Sequence, residues 1–327
     1  MRPTIAHVDY VTDPERSADP IGFLLDALGS PDAIPLLLAG ALVTIGPVLA
    51  WARWRPLEAA RARFVERAEG YRDYLPWIVR LSVGLVLIGS GVARVLFLPT
   101  AEAAGSAALA LTATGFLLLL GLAVRPAALV ALAMYAVTLA GNPELVMMLD
   151  VAGALGVVLL LGPGRPSLDD LLRAAFPRGP GARAATENLA SGHYDDVVPL
   201  LVRVGLGGAF AASGIADKLL IHDQALAAVE RYDLTAVVSV APELWVLGAI
   251  LIETALGLAI IAGVLTRFSA AIGFAVLTLA LFALPDDPVI AHVGLFGLSS
   301  VLVVTGAGRW SLDHAVLRPL GERLRSR

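Results

Sequence analysis

Apolar runs nearly as long as a bilayer is thick follow one another from residue 33 to residue 305. Roughly 20 consecutive apolar residues carry a helix across the hydrocarbon core, where every backbone polar group must be satisfied within the protein. Nine such stretches stand out, at about 33–51, 78–98, 106–124, 127–141, 145–161, 199–216, 243–264, 267–284 and 289–305. Charged residues make up only 16% of the chain, against about 25% in a typical soluble domain. The expected fold is therefore all-α, a polytopic membrane protein with about nine transmembrane helices and the lipid bilayer as its first partner.

Composition removes several chemistries. The chain has no cysteine, which excludes disulfides, thiol relays, Cys-ligated zinc and iron–sulfur clusters. Net charge is -4, and no basic tract of nucleic-acid type stands apart from the membrane pattern. His7, His193, His222, His292 and His314 are scattered, so no metal centre is expected. The acidic start of the chain lacks the basic n-region of a signal peptide.

Charge also orients the spans, because Arg and Lys near span ends are retained in the cytoplasm. With the Arg-rich loop 52–77 inside, the basic residues outside are Arg2, Arg16, Arg94, Lys218 and Arg231. The other 19 of the 24 lie inside. The expectation is a prokaryotic cytoplasmic membrane protein with its N-terminus outside and its C-terminus inside.

Two sets of motifs recur in the same order. Arg80-x3-Gly84-x5-Ser90-Gly91 returns as Arg203-x3-Gly207-x5-Ser213-Gly214. Thr112-Ala113-x-Gly115-x5-Gly121-x3-Arg125 returns as Thr254-Ala255-x-Gly257-x5-Gly263-x3-Arg267. Gly164-Arg165-x-Ser167-Leu168-Asp169 returns as Gly308-Arg309-x-Ser311-Leu312-Asp313. An even number of spans per unit would give two parallel four-helix repeats plus one extra N-terminal helix. The expected divisions are an acidic extracytoplasmic segment 1–32, the extra helix 33–51 and a cytoplasmic loop 52–77. Repeat 1 (78–164), a cytoplasmic linker (165–198), repeat 2 (199–308) and a basic tail (309–327) follow. Glycines at 84, 115, 207 and 257 read as positions where helix backbones meet.

Charge inside a span is expensive and points to function or to an ion-pair partner. Glu253 lies near the middle of its span, where the first motif set has Leu111. It is the leading candidate for a proton-handling or ligand-pocket carboxylate. His292 enters the last span toward the outer side and is the second catalytic candidate, since histidine exchanges protons near neutrality. Asp217, Lys218, His222, Asp223 and Glu230 gather near an enlarged outer loop, 217–242.

The run Arg203-x3-Gly207-x5-Ser213-Gly214-x3-Lys218, followed by Glu253-x3-Gly257-x5-Gly263-x2-Thr266-Arg267 and Gly308-Arg309-x-Ser311-Leu312-Asp313, resembles the DoxX-like family of small four-helix membrane proteins. The family includes the DoxD-type subunit of archaeal thiosulfate:quinone oxidoreductase. The likeness covers about 199–314, and a weaker one covers 76–170. It implies a tandem-duplicated member whose second half carries the working residues. It further implies a quinone as ligand, a soluble or membrane redox partner, and Arg203, Ser213, Asp217, Lys218 and Arg267 as cofactor-binding candidates, with Lys218 and Arg203 attracting anionic groups. Three functions are compatible with these features. They are a quinone-interacting subunit of a membrane redox or oxidative-stress complex, a proton-coupled small-solute transporter, and a membrane scaffold for soluble redox enzymes. Whether the chain is itself an enzyme, and its oligomeric state, stay open at this level.

Overall fold

The computed structural model describes residues 17–38, 40–42, 46, 58–176, 196–284 and 289–317. Most of the acidic N-terminal segment and much of the first apolar run lie outside them, as do the Arg-rich start of the 52–77 loop, linker residues 177–195, Asp286, Asp287 and the end of the tail.

Among the described residues the helices are α1 (Pro20–Gly29), α2 (Glu58–Glu69), α3 (Leu75–Ala93), α4 (Gly105–Leu120), α5 (Val124–Gly141), α6 (Leu149–Leu161) and α7 (Leu168–Ala175). They continue with α8 (Val197–Ala212), α9 (His222–Arg231), α10 (Leu234–Val237), α11 (Pro242–Ala262), α12 (Thr266–Ala283) and α13 (Val289–Thr305). A short antiparallel hairpin, β1 (Val95–Leu96) and β2 (Leu98–Glu102), links α3 to α4.

This is an all-α, multi-span membrane protein, but the expectation of nine spans is not met. Among the described residues, six helical stretches are long and apolar enough to cross: Arg72–Ala93, Val124–Gly141, Pro143–Leu161, Val197–Leu219, Pro242–Ala262 and Thr266–Ala283. A seventh is reached only if Pro20–Gly29 and Ala33–Leu42, bent by 91°, count as one span. The other two expected spans are helices of 16 and 17 residues. At 1.5 Å per residue they reach about 24–26 Å, short of the ~30 Å hydrocarbon core. The apolar run containing α4 loses length at its C-terminal end, where the helix stops at Leu120. Gly121 turns the chain there, and the hairpin takes the end of the preceding apolar run, with Phe97 buried edge-on against Tyr135 at 5.5 Å.

The expectation of two parallel four-helix repeats is also corrected. Helices assigned to different repeats pack closely on one another, α6 against α8 and α13 against α3. Glycine makes the first contact possible. A Cβ at Gly153 would stand 2.9 Å from the Cα of Gly205. One apolar core runs through both sets, including Leu87, Leu111, Leu155, Leu206 and Leu302. The connections differ as well: a hairpin joins α3 to α4, whereas a π-helical segment, α9 and α10 lead from α8 to α11. No clear two-repeat architecture results.

What does recur is a local joint at one end of the bundle. Arg80 is buried and donates from Nη1 to the Leu118 carbonyl at 3.2 Å and from Nη2 to the Pro166 carbonyl at 2.6 Å. Arg203, equally buried, donates from Nη2 to the Trp310 carbonyl. Gly121 and Gly263 both adopt φ 71°, and a side chain at either would run into these guanidinium groups. Asp169 and Asp313 then cap the helices that follow. Asp169 accepts from the Ala123 and Val124 amides, and Asp313 from the Leu265 and Thr266 amides at 2.7 and 2.9 Å. A carboxylate there satisfies orphan N–H groups and complements the positive helix end. Arg125 and Arg267 work at the opposite helix polarity. Arg125 Nε donates to the Leu159 carbonyl, while Arg267 Nε and Nη2 donate to Val303 and Val304 at 3.0 Å.

These charges are thus engaged with backbone. Arg203→Leu is expected to destabilise the protein by about 1.5–3 kcal/mol, the range for hydrogen bonds to a charged group. Unfolding in mixed micelles measures this, and an unchanged stability would show that the joint does not depend on the guanidinium.

Candidate functional site

Three pieces of chain build a charged cluster toward the other end of α8. The span that begins with α8 does not end at Ala212. It continues as a π-helical segment, Ser213–Leu219, in which the Leu220 amide bonds back to the Ile215 carbonyl at 2.9 Å. In π geometry the bond runs over five residues. That widening brings Ser213 and Lys218 to the same side, which the 3.6-residue α turn would not. Lys218 Nζ accordingly donates to Ser213 Oγ at 3.1 Å.

The same ammonium lies 3.2 Å from Asp217 Oδ2 and 2.9 Å from Glu253 Oε2. Asp217 is buried, while the side chains of Lys218 and Glu253 keep 17% and 18% exposure. The Lys218–Glu253 contact is held by charge rather than by an aligned hydrogen bond, because Oε2 has no donor in hydrogen-bonding geometry.

Glycine sets this distance. Gly207 of α8 and Gly257 of α11 lie backbone to backbone, so that a Cβ on either would meet the carbonyl of the other at 2.6 and 2.5 Å. One span segment further on, a Cβ at Gly214 would stand 3.0 Å from the Ile250 carbonyl and would strike the Thr254 hydroxyl. No larger residue fits between the helices there. Thr254 Oγ1 is itself buried without a hydrogen-bond partner among the described residues.

Ala225, Val229, Val246 and Ile250 form a buried apolar cluster, against which Phe23, Leu219 and Trp245 pack. The N-terminal segment is tied down over it. Phe23 stacks on His222 with ring centroids 4.3 Å apart, the Ser17 amide donates to the Leu220 carbonyl at 3.0 Å, and the Asp223 amide donates to Ser17 Oγ at 2.9 Å. His222 is thus packed against Phe23, with Nδ1 3.2 Å from the Leu219 carbonyl.

Of the residues singled out in the sequence, Ser213, Asp217, Lys218 and Glu253 come together. Arg203 and Arg267 are placed in the joint described above. His292 is buried on α13, which packs against α3, α8 and α12. The N-terminal cover, with Ser17 and Phe23, was not foreseen, since those residues are separated from the site by about 200 positions and carry no motif. The π segment was also missed; the only trace in the sequence is the Ser213–Lys218 spacing of five. A further buried carboxyl, Asp150, lies in the first turn of α6 beside Gly294. Its Oδ2 has no hydrogen-bond partner among the described residues. Those residues contain no group of three or more His, Asp or Glu able to hold a metal ion.

Residues 198–286 match the profile of the DoxX family, so a DoxX-family domain occupies that part of the chain, from α8 to just past α12. The match takes in the whole charged cluster. It does not extend to the earlier motif set, and tandem duplication and a DoxD-type second half find no support. No curated protein and no solved structure shows significant similarity to the chain.

Proposed function

We propose that this protein is a membrane subunit of a redox system and that it holds a quinone-type carrier beside Lys218 and Glu253. The observation that carries this reading is the ion cluster of Ser213, Asp217, Lys218 and Glu253, partly accessible at Lys218 and Glu253, inside the DoxX-family segment. Ligand sites combine a mostly apolar lining with a few convergent polar groups. A ligand with a polar head would meet the part of the Lys218 and Glu253 side chains that stays exposed.

A bound quinone would supply two-electron, two-proton chemistry. Glu253 exchanges a proton with the ligand head, and Lys218 balances its charge when it is ionised. His292, buried on α13, is assigned to pass that proton to the outer face. Electrons come from a redox partner, soluble or membrane-bound. The Arg-rich end of the bundle, with Arg80, Arg125, Arg203 and Arg267, faces the cytoplasm in this reading, which puts the N-terminus outside.

The test is titration of the purified full chain in nanodiscs with short-chain ubiquinone and menaquinone analogues. Saturable binding, weakened about tenfold in Glu253→Gln, is the expected result. No binding of either analogue overturns the reading. Uptake of a small solute into liposomes under a pH gradient, lost in Glu253→Gln, would assign transport instead.

A further inference from the structure

We infer that Asp150 is a proton-binding site: its carboxyl is neutral in the folded protein, and α13 rests on α6 only while the proton stays there. The quinone-type reading above leaves this group unused, and the inference does not depend on it.

Asp150 is 2% exposed, in the first turn of α6. Its Oδ2 has no hydrogen-bond partner among the described residues, and none of the ion pairs between them includes it. The oxygen lies on the backbone of α13, since a Cβ at Gly294 would stand 2.5 Å from it. One turn further along α13, a Cβ at Gly297 would strike the Ser82 hydroxyl of α3. That hydroxyl donates to the Ile78 carbonyl at 2.8 Å. Two glycines thus let α13 close down on α3 and on the carboxyl.

The elements that pack closely on α6 are α3, α5, α8, α13 and the 3₁₀ turn Pro143–Met148. Their arginines, Arg80, Arg125 and Arg203, belong to the joint at the other end of the helix. Arg80 and Arg203 donate there to the Pro166 and Trp310 carbonyls, and Arg125 to the Leu159 carbonyl, about 14 Å along α6 from Asp150. The Tyr135 hydroxyl of α5 donates to the Leu145 carbonyl at 3.0 Å. His292 precedes Gly294 by two positions, roughly 200° round α13, so it leaves that helix on the side away from Asp150. Glu144 of the 3₁₀ turn has the same sign as Asp150. The turn also packs against the π segment, where Lys218 is held by Asp217 and Glu253. Among the described residues no cation is placed to balance an ionised Asp150.

An isolated carboxylate cut off from water is far costlier than the neutral acid, so such a group takes up a proton instead. The positive end of α6 favours negative charge, but this is a smaller effect than the loss of water. A proton also needs no cavity. Once ionised, the carboxylate is solvated only if α13 lifts away, and His292 moves with α13.

The test is the pH dependence of unfolding of the full chain in mixed micelles, with Asp150→Asn beside the parent. Asn has the size of the neutral acid and never ionises. The unfolded chain releases the Asp proton at about pH 4, whereas the folded chain keeps it, so stability falls as pH rises. Between about pH 5 and pH 7 the parent's unfolding constant should rise toward tenfold per pH unit relative to that of Asp150→Asn. The infrared difference between the two proteins at neutral pH should contain the C=O stretch of a protonated carboxyl. A parallel pH course, or a difference spectrum with carboxylate bands alone, overturns the inference. So does failure of Asp150→Asn to fold, which would mean that the charge itself is needed. Each of these outcomes leaves the quinone-type reading standing.

Discussion

Lys218→Met is expected to destabilise the protein by about 2–3 kcal/mol and to change the binding site more than any other single substitution in it. Removing the ammonium leaves Asp217 and Glu253 facing each other's charge at membrane depth. Breaking a fully buried ion pair costs about 3–5 kcal/mol. The expected value is lower because Lys218 and Glu253 keep 17% and 18% exposure. The cost arises mainly from the stranded carboxylates, so it should be relieved by neutralising one of them. Lys218→Met combined with Glu253→Gln should recover roughly half of the loss. A double-mutant cycle in mixed micelles reads this coupling directly. If Lys218→Met unfolds at the parent's midpoint, the ion cluster is not a structural unit.

Gly257→Leu is the second large effect. At this position the neighbours are backbone atoms, the Ala211 amide and the Gly207 carbonyl, both 2.5 Å from where a Cβ would stand. Backbone cannot rotate away as a side chain can, so α8 and α11 must separate. Overpacking of this kind costs about 1–3 kcal/mol, and the upper part of that range is expected here. The separation should also pull Lys218 away from Glu253 and weaken ligand binding without touching a polar atom. Gly248 provides the control on the same helix, because a Cβ there meets nothing within 4 Å. Gly248→Leu should leave both stability and binding near the parent. Equal behaviour of the two variants would show that the α8–α11 contact does not set the site.

The two predictions separate the parts of the site. Lys218→Met changes its charge and leaves the helix contact in place. Gly257→Leu leaves the charges in place and moves the helices. Ligand binding that falls in both, by different routes, is what a site shared between α8, the π segment and α11 requires.

The membrane character was legible in the apolar runs, because hydropathy is additive along the chain and needs no knowledge of neighbours. The close glycine contacts were legible too, since a small residue recurring at Gly207 and Gly257 has few other uses in lipid. The number of spans was not. Whether an apolar run becomes a crossing helix depends on how much of it is used up by turns, and Gly121, at φ 71°, stops α4 before its apolar run ends. The recurrence of motifs was likewise real in the sequence, but what it encodes is a local joint around Arg80 and Arg203. How helices pack across the bundle depends on surfaces such as Gly153 against Gly205, which belong to no repeated motif.

The sequence by itself determined that this chain lives in a bilayer and that Glu253 and Lys218 are charges in need of an explanation. Only the tertiary structure decided that they explain each other. Thirty-five positions separate them, and their meeting depends on a π-helical turn and on glycines that bring two backbones into contact. The glycines mark a close helix contact in the sequence, but neither they nor the π turn says which two charges that contact brings together, because that depends on which helix faces which.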